Sequence, residues 1–308
     1  MVQKTSSILF CFIFFSLNSY GEILFEGYSR IYFSNKPAGY TVSRYELDSK
    51  KNQFISTSYL KLKRGGEVSE STKAVSDMDF NPVSYTFMRI ADKKVKTIDA
   101  QFKQQKMSLV INENGKTKKI EKQISKNAFL STFLIYKILK SKEGLQEQSR
   151  YLYESLLEEE GLVRAGQVIV LKPQNVNGFE AFKVRNLIDM ENEITEPPMS
   201  QKKAQKDPVY TEFVSFVNSQ GHLLQLEAAD IEMRVDLMAT QKEATEGFAF
   251  DVETMKLLFG DVPLGEKNVV AQSKISKEKL QTTPEKQMGV DQGKGLLIKQ
   301  IQPEKKSE

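Results

Sequence analysis

The sequence predicts a mainly β protein: a curved antiparallel sheet, rolled into an open barrel or half-barrel, with one helix packed against it. Three observations lead there. Apolar and polar residues alternate through stretch after stretch, most cleanly where Ile231, Met233, Val235 and Leu237 share one parity and Glu232, Arg234 and Asp236 the other. Successive side chains of a strand point to opposite faces, so this pattern puts one face in a core and the other in water. Turn residues recur at intervals of about ten positions, the spacing of an antiparallel meander. One stretch, Asn127 to Lys142, breaks the rhythm with helical spacing.

The chain opens on an export signal over residues 1–21. Lys4 supplies a short basic region, Ile8 to Leu17 an apolar run, and Ser19-Tyr20-Gly21 a small-x-small site that places cleavage before Glu22. The apolar run is shorter than the roughly 20 residues that span a bilayer, so no integral span is expected after cleavage. A retained anchor is the alternative. The one cysteine, Cys11, lies inside this segment. The chain from Glu22 onward then offers no disulfide, no thiolate metal site and no cysteine nucleophile. Export without disulfides fits a periplasmic or secreted protein.

Residues 22–260 read as the β-rich domain. Tyr28 to Ser34 and Tyr40 to Leu47 flank a turn at Asn35-Lys36-Pro37-Ala38-Gly39. Phe54 to Lys63 follows, then a turn at Arg64 to Glu67. Ser69 to Asp77 is largely polar, which predicts an edge strand or one with a wet face. Strands resume at Tyr85 and Phe87 after Asn81-Pro82. They continue through Val95 to Phe102, Met107 to Ile111 and Thr117 to Ile124, with Asn114-Gly115 as a hairpin turn.

In Asn127 to Lys142, Phe129, Leu130, Phe133, Leu134, Ile138 and Leu139 fall on one helical face. That face must lie on the sheet. It is either packed core or a lid over a ligand space, and in the second case Phe129, Phe133, Leu130 and Ile138 are the candidate ligand-binding residues. Over 150–161 the Glu158-Glu159-Glu160 run favours helix, whereas Tyr151 and Tyr153 alternate as in a strand; the reading is strand over 150–157. Gln167 to Leu171 and Gly178 to Leu187 form a hairpin through Asn175-Val176-Asn177-Gly178. Residues 192–208 read as an exposed loop. Val209 to Thr240 supplies two or three strands hinged at Ser219-Gln220-Gly221, and Lys242 to Thr245 one helical turn. From 261 the aromatics vanish, and residues 266–308 carry nine lysines against six acids, predicting a disordered tail over 261–308.

Composition excludes several functions. A net charge of +4 over 308 residues is a solvated balance rather than the basic field of a nucleic-acid binder. No glycine-rich phosphate loop follows a strand, so no nucleotide cofactor is expected. His222 stands alone beside a turn glycine and reads as a surface residue, which leaves neither a metal site nor a Ser-His-acid triad. Glu158 to Glu160 read as a solvated charge run rather than an acid–base pair.

The segments RIYFSNKPAGY, MDFNPVSYTF, NGFEAFKVRN and VSFVNSQGHLLQLEAADIEMRVDLMATQKEA, within residues 25–247, carry a family resemblance. Together they resemble a family of bacterial envelope β-proteins of unknown function, whose domain also precedes transglutaminase-like modules. Its architecture is similar to the periplasmic lipoprotein carriers, half-barrels with a helix on the concave side. The resemblance implies a non-enzymatic exported protein that binds an apolar ligand such as lipid. The alternative is a structural or adaptor module that binds another envelope protein through a sheet edge near Ser69 to Asp77.

Overall fold

The computed structural model of the protein describes residues 21–194 and 207–282. All but Gly21 of the predicted export signal, most of the predicted 192–208 loop and the end of the predicted tail lie outside the described residues.

Fifteen strands form one sheet. The first eight are β1 (Glu22–Phe33), β2 (Lys36–Asp48), β3 (Gln53–Lys63), β4 (Glu67–Asp77), β5 (Pro82–Ala91), β6 (Lys94–Lys103), β7 (Lys106–Glu113) and β8 (Lys116–Gln123). The rest are β9 (Phe129–Leu130), β10 (Arg150–Leu157), β11 (Leu162–Val176), β12 (Phe179–Glu193), β13 (Tyr210–Val217), β14 (Leu223–Ala228) and β15 (Met233–Met238). Four α-helices accompany them among the described residues: α1 (Leu134–Lys140), α2 (Gln241–Thr245), α3 (Val252–Phe259) and α4 (Val269–Thr282).

The order is two meanders joined at a seam. β1 sits at the centre with seven strands on either side, and it pairs with β15 in the register Ile31↔Val235. Every pairing is antiparallel except the short β9–β10 contact. Tight turns set the registers: Ser34-Asn35, Asn114-Gly115 and Asn177-Gly178 all take positive φ at both residues. That is the backbone of a two-residue hairpin loop matching strand twist.

The sheet rolls until its two halves touch. The turn after β10 lies on β5 and β7, where a Cβ on Gly161 would stand 3.2 Å from Leu109 and 3.4 Å from the Tyr85 hydroxyl. Lys96 on β6 donates to the Glu159 carbonyl at 2.8 Å. The space so enclosed is filled by a buried cluster that includes Tyr85, Ile98, Leu109, Leu130, Phe133 and Leu156. Burying a large apolar side chain is worth about 1.5–3 kcal/mol, so this cluster holds the roll shut.

Several sequence expectations change. Ser69 to Asp77 is no edge: β4 pairs along its length with both β3 and β5. Ser71 and Ser76 are buried while Lys73 stays exposed, so the strand is internal to the sheet with a wet side. Alternation starts at Met233 rather than Ile231, because Glu232 turns left-handed (φ 52°) and leaves Ile231 half exposed in a 3-10 turn.

The segment from 261 is docked, not disordered, as far as it is described. Glu26 and Arg44, adjacent on β1 and β2, are both buried, and Arg44 Nε donates to Glu26 at 2.7 Å. Arg44 also donates to the Phe259 carbonyl and to Asp261, and the Gly265 N–H donates to Glu26 at 2.7 Å. Asn268, fully buried, donates to the Glu26 carbonyl and accepts from the Ala271 N–H. Tyr28 donates to the Pro263 carbonyl at 2.8 Å. Composition missed this because polar contacts to a buried ion pair, as well as the packing of Val262, Val269 and Val270, fasten the segment. With α2 and α3 it covers Tyr28, Tyr40, Val42 and Tyr59, on the face of β1–β3 opposite Phe25 and Tyr45.

Candidate functional site

The helical pattern over Asn127 to Lys142 yields a seven-residue helix only. The edge of β10 carries unpaired backbone groups, and Phe129 and Leu130 pair with Ser155 and Leu156 to satisfy some of them. A 3-10 turn over Ser131–Phe133 then feeds α1, which stops where Ser141 becomes extended and its hydroxyl donates to the Ile138 carbonyl at 2.6 Å.

All four predicted ligand residues are buried, at 0% exposure for Phe129, Leu130 and Phe133 and 3% for Ile138. They do not share one surface. Phe133 packs toward Phe80 and Phe54, with ring centroids 5.9 and 6.4 Å away, and Leu130 joins the same cluster. Ile138 instead packs among Val168, Val170, Val184 and Val217. Phe129 lies 5.8 Å from the Tyr153 ring, and Tyr153 in turn lies against Gly166, where a Cβ would come within 2.2 Å of the ring.

Phe129 and Ile138 also line open space. Beside α1, where the corner between β4 and β5 comes over β10, is an apolar hollow of about 310 Å³. Its walls include Phe80, Phe129, Leu134, Ile138, Tyr151 and Leu152. A second, more polar hollow of about 650 Å³ shares Phe129, Lys137, Leu152 and Tyr153 with it and adds Lys126, Glu154 and Gln167. Leu152 is 84% exposed between the two. Lys137 sits over the Phe129 ring, its ammonium 4.6 Å from the centroid. Burial holds that ammonium below the usual lysine range, against the pull of Asp77 and Asp79. Lys140 is paired with Asp79 at 2.6 Å.

Glu158 is not part of a solvated run. It is 4% exposed and accepts from the Ser131 hydroxyl at 2.5 Å and from the Thr132 N–H at 3.3 Å. Burial pushes its pKa up to about 7, the neighbouring Glu159 charge adds to the rise, and these hydrogen bonds oppose it. Thr132 also meets Ser56 through its hydroxyl and accepts from the Tyr45 hydroxyl through its carbonyl. Glu158 thus anchors the start of the covering segment. His222 is likewise not a free surface residue: its ring lies 4.9 Å from Phe25, its Nδ1 is buried without a partner, and burial lowers its pKa. Among the described residues no group of three or more His, Cys, Asp or Glu is placed to hold a metal. Among them, too, no helix is long and apolar enough to cross a membrane.

Sequence reading missed Lys137, Leu152 and Glu158. Leu152 left a signal, an apolar residue between two tyrosines on the parity opposite to theirs. Glu158 left none, because burial of one acid in a run of three depends on where the turn docks.

No family model matches this chain, and no curated protein does. Among solved structures it is similar to a β-barrel-like protein with a domain of unknown function, DUF1849, from Brucella abortus. That likeness has 13% identity and a TM-score of 0.46, over 70% of this chain and 97% of that one. It is also similar to a DUF1089 family protein from Pseudomonas aeruginosa, with 12% identity and a TM-score of 0.31, over 60% of this chain and 87% of that one. Neither likeness bears on ligand or activity.

Proposed function

We propose that this is a non-enzymatic exported protein of the bacterial envelope that holds an apolar ligand, such as a lipid, in the cleft between α1 and β10. One observation carries the reading: Leu152, 84% exposed, stands at the wall common to both hollows, beside the half-buried Leu134 and Tyr151 of the smaller one. An exposed apolar side chain beside an apolar hollow fits a ligand site, and ligand pockets usually measure about 300–1,000 Å³. Export rests on the leader pattern and on the absence of cysteine after Cys11. The adaptor alternative has less support. The edge at β8 carries Lys116, Lys118, Lys119 and Lys122, and lysines on an edge strand discourage strand addition.

Lipid extraction and mass spectrometry on protein purified from the envelope fraction test this, with Leu152→Asp in parallel. The expected outcome is bound lipid in the natural protein and its loss in the variant, at an unchanged unfolding midpoint. Equal lipid in both would remove the cleft, and an intact Met1-led chain in the cytosol would remove export.

A further inference from the structure

The cleft carries charge as well as apolar surface, and the charge is placed asymmetrically. Asp79, at the mouth of the smaller hollow, is already neutralised by Lys140. Lys137 stands at the wall common to both hollows, half-buried over an aromatic face, and no carboxylate lies within ion-pair distance of it among the described residues. A partly desolvated cation without an anionic partner is costly, and the negative face of a ring offsets only part of that cost. Lys126 lines the larger hollow alongside it. Glu154 is the one carboxylate on that wall, so an anion is drawn to Lys137 and Lys126 and repelled by Glu154.

We infer that the ligand is a single-chain amphiphile with a carboxylate head, its head paired with Lys137 and its chain lying along Leu152 and Ile138 in the smaller hollow. This rests on the proposed apolar cleft and adds the head-group chemistry and the residue that reads it. A charge-assisted hydrogen bond formed in a partly water-excluded site discriminates ionised from neutral heads strongly.

The test uses cis-parinaric acid, a fluorescent fatty acid, and its methyl ester, titrated into the full mature protein after lipid removal. The acid should bind about tenfold more tightly than the ester, a difference that shrinks at high salt. Lys137→Met keeps an unbranched apolar side chain of similar reach. It should bind the ester as the natural protein does and bind the acid no better than the ester. Retained ester binding also reports an intact fold. Equal affinity for acid and ester in the natural protein would overturn the carboxylate–lysine pairing and leave the apolar cleft standing. Failure to bind either would overturn both.

Discussion

Arg44 and Glu26, side by side on β2 and β1, form a buried ion pair whose remaining hydrogen bonds all go to the chain between Phe259 and Asn268. Neither charge has water to fall back on, so the pair and the covering segment need each other. Removing one partner of a buried pair leaves the other uncompensated and costs about 3–5 kcal/mol. Arg44→Met should therefore lower unfolding free energy by that amount in denaturant titrations. A loss below about 1 kcal/mol would mean the pair is solvated.

The same contact decides what truncation does. A chain ending at Gly260 strips the cover from Glu26, Tyr28 and Arg44, and its unfolding midpoint should fall by well over the few degrees that about 1 kcal/mol would move it. Asn268→Ala is the milder version. It should cost about 1–3 kcal/mol, because it leaves the Ala271 N–H without its acceptor. Calorimetry on both variants checks the pair of values, and an unmoved midpoint in the truncated chain would return the segment to the status of a loose tail.

Glu158 makes stability depend on pH in an unusual direction. Its folded pKa, about 7, lies above the roughly 4.3 of an unfolded glutamate, so the native state keeps the proton over that interval. Stability is unpenalised below the unfolded value and declines as pH rises through the folded one, by about 3 kcal/mol in all. Glu158→Gln can still accept from Ser131 and Thr132. It should remove that decline and be more stable than the natural protein at pH 8, measured by urea unfolding at several pH values. Parallel curves for the two proteins would show that the carboxyl is charged throughout.

Phe133→Ala separates core from lid. With Phe133 fully buried against Phe80 and Phe54, truncation should cost about 3–5 kcal/mol. Leu152→Ser, at an exposed position, should cost under about 0.5 kcal/mol yet reduce lipid retention. A Phe133→Ala protein of near-normal stability that had lost its lipid would reverse these roles and make the helix start a lid.

How far the sequence reaches can be read from particular residues. Period-two alternation placed Val235 and Leu237 on a buried face, Asn114-Gly115 and Asn177-Gly178 marked their hairpins, and Tyr151 with Tyr153 decided for a strand where the Glu run argued for a helix. These are local signals, carried by backbone sterics and by one face of one strand, so the curved antiparallel sheet and its covering helix were readable without coordinates. Other features depend on which strands meet. β4 is polar and yet internal, because β3 and β5 pair with it on both sides. Phe129 and Leu130 left the helix to pair with β10. The stitching of Asp261, Gly265 and Asn268 to Arg44 and Glu26 joins positions more than 200 apart in the chain, and no composition window contains both sides of it. The cleft is of the same kind: Leu152, Lys137 and Phe80 come from three separate elements, brought together only when the sheet rolls and the β4–β5 corner closes over β10. Alternation reports the face a side chain takes, whereas a site depends on which faces meet, and the roll of the whole sheet decides that.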